Sequence, residues 1–278
     1  MYKSNIKYKY FILIFSLILG CSHFSMQKAQ IVRIKGSDTM LILVTRWAEE
    51  YMKYKPNVSV YAEGGGTEKG VKALQKGKAD ICTASRPLQA QEARLLAEKY
   101  KYLGMSFLVA KDALSIYLNK NNPVKNLSPD NLKEIFKGEI TNWNQVGGNN
   151  DPILVLIRSP NSGTHLYFKN HILDGEAYSE FAQIMPTTDD IVTAVSKNRE
   201  AIGYGGIAYG PNVVHCKIDG VAPTEENVRN DSYPIIRYLY LYTTNTPRGE
   251  VKSFIDWVLK DGQKIVKEVG YIPLWEMN

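Results

Sequence analysis

The chain has 278 residues and is 44% hydrophobic, 22% charged and 11% aromatic, ordinary values for a globular protein whose length suits two domains of roughly 100–150 residues each. Its formal charge is +6, but Lys3, Lys7 and Lys9 supply three of those charges, and no run of Lys or Arg stands out elsewhere, so nothing points to nucleic acid as a partner. Gly and Pro form no tract longer than the triplet Gly64-Gly65-Gly66, which excludes a low-complexity or repeat architecture.

Lys3, Lys7 and Lys9 form a basic leader to the apolar stretch 10–19. That stretch is shorter than the ~20 residues a spanning helix needs and has the length of a signal-peptide core. It ends in Ile18-Leu19-Gly20-Cys21, which resembles the bacterial lipobox, where the Cys is freed by cleavage and diacylated. Residues 1–20 are therefore expected to be a lipoprotein signal peptide, and 21–30 the lipidated Cys21 and a tether; the alternatives are an ordinary signal peptide or a buried helix with a chance Cys. Several acyl chains on one Cys would hold the protein to a membrane. Cys82 and Cys216 remain, far apart in sequence and each in an apolar setting. In an oxidising compartment they could pair, and as buried thiols they could equally stay free.

The mature chain opens with a strand pattern at 31–34, a loop at 35–39 and a helical periodicity over 40–53 with Leu41, Val44, Trp47, Ala48 and Tyr51 on one face. A strand at 58–61, a glycine loop at 63–67, a helix over 68–75 and a strand at 79–84 follow. This alternation predicts a mostly parallel sheet with helices on its faces. Strands are expected at 105–110, 114–118, 153–157, from 201 and over 233–243. Helices are expected over 127–136, with Ser128 and Pro129 at its start, over 165–170 and 191–197, and as a pair over 249–269. Asp189-Asp190 reads as a helix start, and Tyr238, Tyr240 and Tyr242 alternate as on a half-buried strand.

Three loops share one design: each follows a strand, is rich in Gly, Ser or Thr, and opens a helix. They are Gly36-Ser37-Asp38-Thr39, Gly64-Gly65-Gly66-Thr67 and Ser162-Gly163-Thr164. A helix start carries unpaired N–H groups and partial positive charge, Gly admits a ligand close to the backbone, and hydroxyls add donors, so each loop suits an anion. Singly, each also reads as an ordinary cap. Arg86 and Arg158 lie in similar loops, and a guanidinium fork can bond two oxygens of a tetrahedral oxyanion; a surface ion pair is the alternative for both.

Arg158-Ser159-Pro160-Asn161-Ser162-Gly163-Thr164 resembles the R-x-x-x-S-G-T signature of the phosphate-binding proteins of bacterial ABC transporters. The Gly-Ser-Asp-Thr opening, the glycine loop running into residues 67–72, Ala84-Ser85-Arg86-Pro87-Leu88, and the blocks at 202–209 and 233–244 are similar to the same family. The resemblance implies an α/β fold of two lobes with a ligand cleft between them and two crossing hinge strands, the periplasmic-binding-protein fold of type II. It implies lobe one at 31–111 plus 239–278 and lobe two at 112–238. Carried over position by position, Ser37, Asp38, Thr39, Gly66, Thr67 and Arg86 would line one wall, and Arg158, Ser162, Gly163 and Thr164 the other. Where many members have Ser-Asp, this chain has Ser85-Arg86, as other members do. The lost carboxylate would accept a proton from hydrogenphosphate and repel sulfate; Asp38 is the expected replacement, with a plain N-cap as its alternative.

The glycine loop lacks the Gly-Lys-Ser/Thr of a P-loop, Ser162 lacks a nucleophile elbow, and the four histidines show no metal spacing. Together with the lipobox, the resemblance implies a monomeric, lipid-anchored, extracytoplasmic protein, and the missing motifs lead to the expectation of no cofactor, no metal and no catalytic residue. It would capture inorganic phosphate and dock, closed, on a permease driven by an ATPase. The alternatives are binding of another oxyanion, sulfate or a phosphate ester, or a surface lipoprotein acting as an interaction module.

Overall fold

Strand β1 (Gln30–Gly36) buries Val32 and Ile34 on one face, and parallel neighbours β2 (Val58–Glu63) and β3 (Ile81–Ala84) flank it. The coordinates are a computed structural model that describes residues 30–275, so Cys21 and the segment 1–29 lie outside the described residues. Helix α1 (Leu41–Tyr54) follows β1 and buries Leu43, Val44, Trp47, Ala48 and Tyr51; Leu43, rather than the half-buried Leu41, completes its inward face. Helix α2 (Thr67–Gln75) follows β2 and packs on the other face, where Gly70 lets it come against Gly36 and Cys82.

Helix α3 (Ala90–Tyr100), absent from the sequence expectation, follows β3. Only Glu92 and Leu96 of it are buried, so its apolar periodicity is thin. Its start is fixed instead by a capping box between Gln89 and Glu92.

The sequence suggests two strands at 105–110 and 114–118; the structure has one, β4 (Met105–Leu118). The polar pair Lys111-Asp112 interrupts the apolar pattern, yet both side chains are buried and paired, Lys111 with Asp231 and Asp112 with Arg237. Along residues 105–113, β4 runs antiparallel to β11 (Ile236–Thr243), and along 114–118 it pairs with β8 (Ala201–Gly206). Strand β11 also pairs with β3, while the short strands β9 (Val214–His215) and β10 (Lys217–Ile218) pair with β4 and with β5 (Asn126–Leu127). Strands β4 and β11 each reach both hydrophobic cores, and the sheet order is β2-β1-β3-β11-β4-β8, continuing through β6 (Leu154–Arg158) to the edge strand β7 (Gln183–Met185).

Each side has its own core. One gathers Val32, Trp47, Tyr51, Ile81 and Val109 with Leu239, Leu241, Phe254 and Val266. The other gathers Leu114, Ile116, Leu132, Phe136, Trp143, Phe168, Ile202 and Tyr204. Helix α4 (Pro129–Lys137) starts on Ser128, whose side chain accepts from Asn131 N–H. Helix α5 (Gly163–His171) starts two residues earlier than the periodicity suggests, and α6 (Thr188–Lys197) three, with Thr187 and Asp190 forming a capping box. Helices α7 (Glu225–Arg229), α8 (Gly249–Leu259) and α9 (Gln263–Val269) complete the set among the described residues. Tyr238 is exposed, Tyr240 half-buried and Tyr242 buried, so the tyrosine row wets only at one end.

Cys82 and Cys216 are free and buried, one in each lobe. Burial raises both thiols, Cys216 to about 12, so neither is a ready thiolate at neutral pH.

Candidate functional site

The three loops meet at the seam between lobes. In the first, Ser37 N–H donates to Thr83 O at 2.9 Å and faces Thr83 Oγ1 at 2.9 Å, which ties the end of β1 to β3. Asp38 does not cap α1, whose N-cap is Met40 without any side-chain bond. Its Oδ1 accepts Gly65 N–H at 2.6 Å, and its Oδ2 accepts Arg158 Nη2 at 2.7 Å from the other lobe. Thr39 Oγ1 lies 2.7 Å from Thr164 Oγ1, also across the seam. Tyr209 and Tyr271 hydroxyls donate to the carbonyls of Asp38 and Thr39 at 2.7 and 2.5 Å, which fixes the loop backbone.

In the glycine loop, Gly65 and Gly66 have φ of 112° and 99°, a region that side chains other than glycine's rarely allow. A Cβ on Gly66 would also sit 2.7 Å from Asn161 O. Asn161 bridges the lobes twice: its Nδ2 donates to Gly65 O at 2.5 Å, and its carbonyl accepts Glu68 N–H at 3.2 Å at the start of α2. Sequence reasoning passed over Asn161 as a variable position of the Arg-to-Thr motif; a side-chain amide beside a helix-opening Ser-Gly was the available signal. Thr67 is fully buried, and its Oγ1 accepts Ser85 N–H at 3.3 Å.

Arg86 is buried, not a surface residue, but its fork does not face the cleft. Nη1 and Nη2 donate to Glu92 Oε2 and Oε1 at 2.7 and 2.8 Å, and Glu92 Oε2 also accepts Gln89 N–H at 2.8 Å. The second cation anticipated from the sequence is therefore matched by a buried carboxylate six residues on. Glu92 was missed because its partner is visible only once α3 is in place.

Arg158 ends β6 with no exposed surface. Nη1 donates to Thr188 Oγ1 at 2.8 Å, and Nη2 to Asp38 Oδ2 and to Pro186 O at 3.0 Å. Ser162 N-caps α5, its Oγ accepting Thr164 and His165 N–H at 3.2 and 3.4 Å. Gly163 is packed so closely that a Cβ there would press on Thr67 Oγ1 and lie 2.6 Å from Ser85 Oγ. Asp38, Thr39, Gly66, Thr67, Arg158, Gly163 and Thr164 thus make contacts across one seam, whereas Ser37, Arg86 and Ser162 bond within their own side, and the bridged lobes describe a closed form.

Among the described residues, four buried side-chain atoms have no hydrogen-bond partner: Ser85 Oγ, Arg86 Nε, Arg158 Nε and Arg237 Nη2. Arg237 Nη2 lies 2.7 Å from Asp112 Oδ2 and is matched electrostatically. Ser85 and Arg158 meet the opposite lobe at the seam, and Arg86 follows Ser85 in the chain. Orphaned polar atoms in a protein interior cost about 1–3 kcal/mol each, so Ser85 Oγ and Arg158 Nε, on the two sides of the seam, suit acceptor oxygens. No cluster of His, Cys, Asp and Glu suited to a metal occurs among the described residues.

His165, beside Ser162 in sequence, holds structure together: its Nδ1 lies 2.8 Å from Arg158 O and its ring packs on Tyr178. Burial depresses its pKa, and that of His215 against Ser115. Below about pH 6.5 the unfolded chain binds protons that the folded one refuses, so stability is full above that pH and is lost as pH falls towards the folded pKa values. Denaturant midpoints should therefore drop between about pH 7.5 and 5.5, and His165→Gln should shrink that drop. A midpoint independent of pH would contradict the burial effect.

The PBP superfamily domain model matches residues 25–261. The phosphate-binding protein PstS of Pseudomonas aeruginosa is 33% identical over 263 residues, covering 86% of this chain and 81% of that protein. The chain belongs to the PBP superfamily, in the family of the PstS phosphate-binding proteins. PstS of Bacillus subtilis is 31% identical, covering 88% of this chain and 81% of that protein. A putative phosphate ABC transporter substrate-binding protein from Clostridium perfringens, solved with bound phosphate, superposes with a TM-score of 0.82 at 32% identity, covering 88% of this chain and all of that one. An ABC-type phosphate transport receptor from Vibrio cholerae gives a TM-score of 0.71 at 30% identity over 87% of this chain and 99% of that one. No described helix is long and apolar enough to cross a membrane.

Proposed function

We propose that this protein captures inorganic phosphate between its two lobes and delivers it to an ABC transporter. The observation that carries the reading is the trio of unpartnered buried polar atoms, Ser85 Oγ, Arg86 Nε and Arg158 Nε, at a seam where three Gly/Ser/Thr loops meet. The family membership reported above supports the choice of phosphate. The ligand set we assign is Ser37, Asp38, Thr39, Gly66, Thr67, Arg86, Arg158, Ser162, Gly163 and Thr164, with Ser85 added because its hydroxyl is one of the trio. Lobe one is 31–111 plus 239–278 and lobe two 112–238 in this reading. Closure is favoured because only the closed form brings both walls to one anion. Capture and release need no covalent step, so the protein acts as a binding protein and not as an enzyme. Its working form is a monomer held to the outer side of a bacterial membrane through a lipidated Cys21.

Thermal unfolding of the anion-stripped chain tests the central claim. Phosphate at a thousandfold excess over Kd should add about 4 kcal/mol and raise Tm by roughly 10 °C, with sulfate and a phosphate ester giving far smaller shifts. No shift with any anion would favour an interaction module, and a larger shift with sulfate another oxyanion.

Discrimination against sulfate falls to Asp38. Each of its oxygens accepts one bond in the closed form, and each has a second lone pair for the proton of hydrogenphosphate. Asp38→Asn should narrow the phosphate-to-sulfate ratio by about tenfold or more, the worth of one hydrogen bond to a charged group. Competition titrations that return an unchanged ratio would remove Asp38 from this role.

A further inference from the structure

Arg237 on β11 faces Asp112 on β4 in register, where the two crossing strands pair. It is 3% exposed and Asp112 is 0% exposed. Arg237 Nε donates to Asp112 Oδ2 at 2.8 Å, and Asp112 Oδ1 accepts Ile207 N–H at 3.0 Å. The guanidinium does not spend its whole fork on the carboxylate. Nη1 turns away and donates to Thr164 Oγ1 at 2.9 Å, and Thr164 Oγ1 lies 2.7 Å from Thr39 Oγ1 in the cleft.

A threonine hydroxyl has one proton and two lone pairs, whereas a guanidinium only donates. Thr164 must therefore accept from Arg237, which leaves its own proton for Thr39 Oγ1 or for an acceptor in the cleft. A charged donor behind a hydroxyl also polarises it and strengthens its onward bond.

We propose that Arg237 is a positioning residue for phosphate capture: from the hinge it fixes the Thr164 hydroxyl as a donor towards the anion. Asp112 holds the guanidinium in place and cancels its charge. The inference rests on the phosphate reading of the seam and adds to it a residue that would not itself touch the ligand.

The test compares Arg237→Gln combined with Asp112→Asn, which leaves no unpaired buried charge, with Thr164→Val and with the triple variant. All are made in the full chain, checked for folding by circular dichroism and titrated with inorganic phosphate. The amide pair and Thr164→Val should each weaken binding about tenfold, the order of one hydrogen bond to a charged group. The triple variant should be no weaker than Thr164→Val alone, because both changes remove one relay. Arg237→Lys, which keeps charge and donor, should recover part of the loss. An amide pair that binds phosphate like the wild type, or losses that multiply in the triple variant, would overturn the assignment while leaving the phosphate reading intact. A folded wild-type chain that binds no phosphate would overturn both.

Discussion

Replacing Gly163 with alanine should leave the protein folded and cost it its ligand. Gly163 is the first residue of α5, where alanine is at least as good a helix former, so the open lobe has no reason to suffer. In the closed form the new methyl would press on Thr67 Oγ1, 3.1 Å from Thr67 Cβ and 2.6 Å from Ser85 Oγ, all on the opposite lobe. Thr67 and Ser85 are fully buried, which leaves their side chains little room to move aside. Overpacking of this kind costs about 1–3 kcal/mol, and here the whole cost falls on the closed form, the binding-competent one. The phosphate Kd should therefore rise by about 5- to 150-fold with Tm in the absence of anion unchanged or slightly higher. Calorimetric titration checks the first and a thermal scan the second. Unaltered affinity would mean that capture does not require the seam to close as tightly as it does here.

Arg158→Met should have the opposite profile, losing fold stability and ligand together. The side chain has no exposed surface and links Asp38, Thr188 and Pro186. Removing it strands the Asp38 carboxylate in the interior, a change that costs about 3–5 kcal/mol in comparable buried pairs. It also deletes one of the three orphaned donors and releases the Asp38–Gly65 loop, so phosphate affinity should fall by at least about a hundredfold. Combining Arg158→Met with Asp38→Asn separates the two effects. Urea midpoints should recover much of the loss because no unpaired charge is left, while phosphate still fails to shift Tm. Recovery of phosphate stabilisation in the double variant would show that Arg158 serves the fold and not the ligand.

The three cleft loops were legible because their chemistry is local: a strand end, small residues and a helix start occur within a few positions of one another, and the same holds for Ser128 and Pro129 at the head of α4. The partners that complete the site were not legible, since each depends on placement. Asp112 meets Arg237 at a separation of 125 positions, Arg158 meets Asp38 at 120 and Asn161 meets Gly65 at 96. Nothing in the sequence announces such pairs before the register of β4 and β11 is known. Lys111-Asp112 shows the cost of this: two charges inside one buried strand break the apolar pattern, and the strand reads as two. Helix α3 escaped for a different reason, because its surface-facing composition gives almost no apolar stripe and its start is set by a reciprocal Gln89–Glu92 cap.

Each of the three buried arginines at or behind the seam arrives already matched: Arg86 with Glu92, Arg158 with Asp38 and Arg237 with Asp112. The proposed receiving surface is thus close to electrically balanced before any anion enters, and a dianion there would be held by directed N–H and O–H dipoles instead of an excess of cations. Attraction by net charge reaches across solvent and is screened by salt, whereas buried dipoles act over a bond length and are screened much less. Capture built in this way would trade long-range steering for constancy, and the hold on phosphate is expected to change little as the surrounding ionic strength rises and falls.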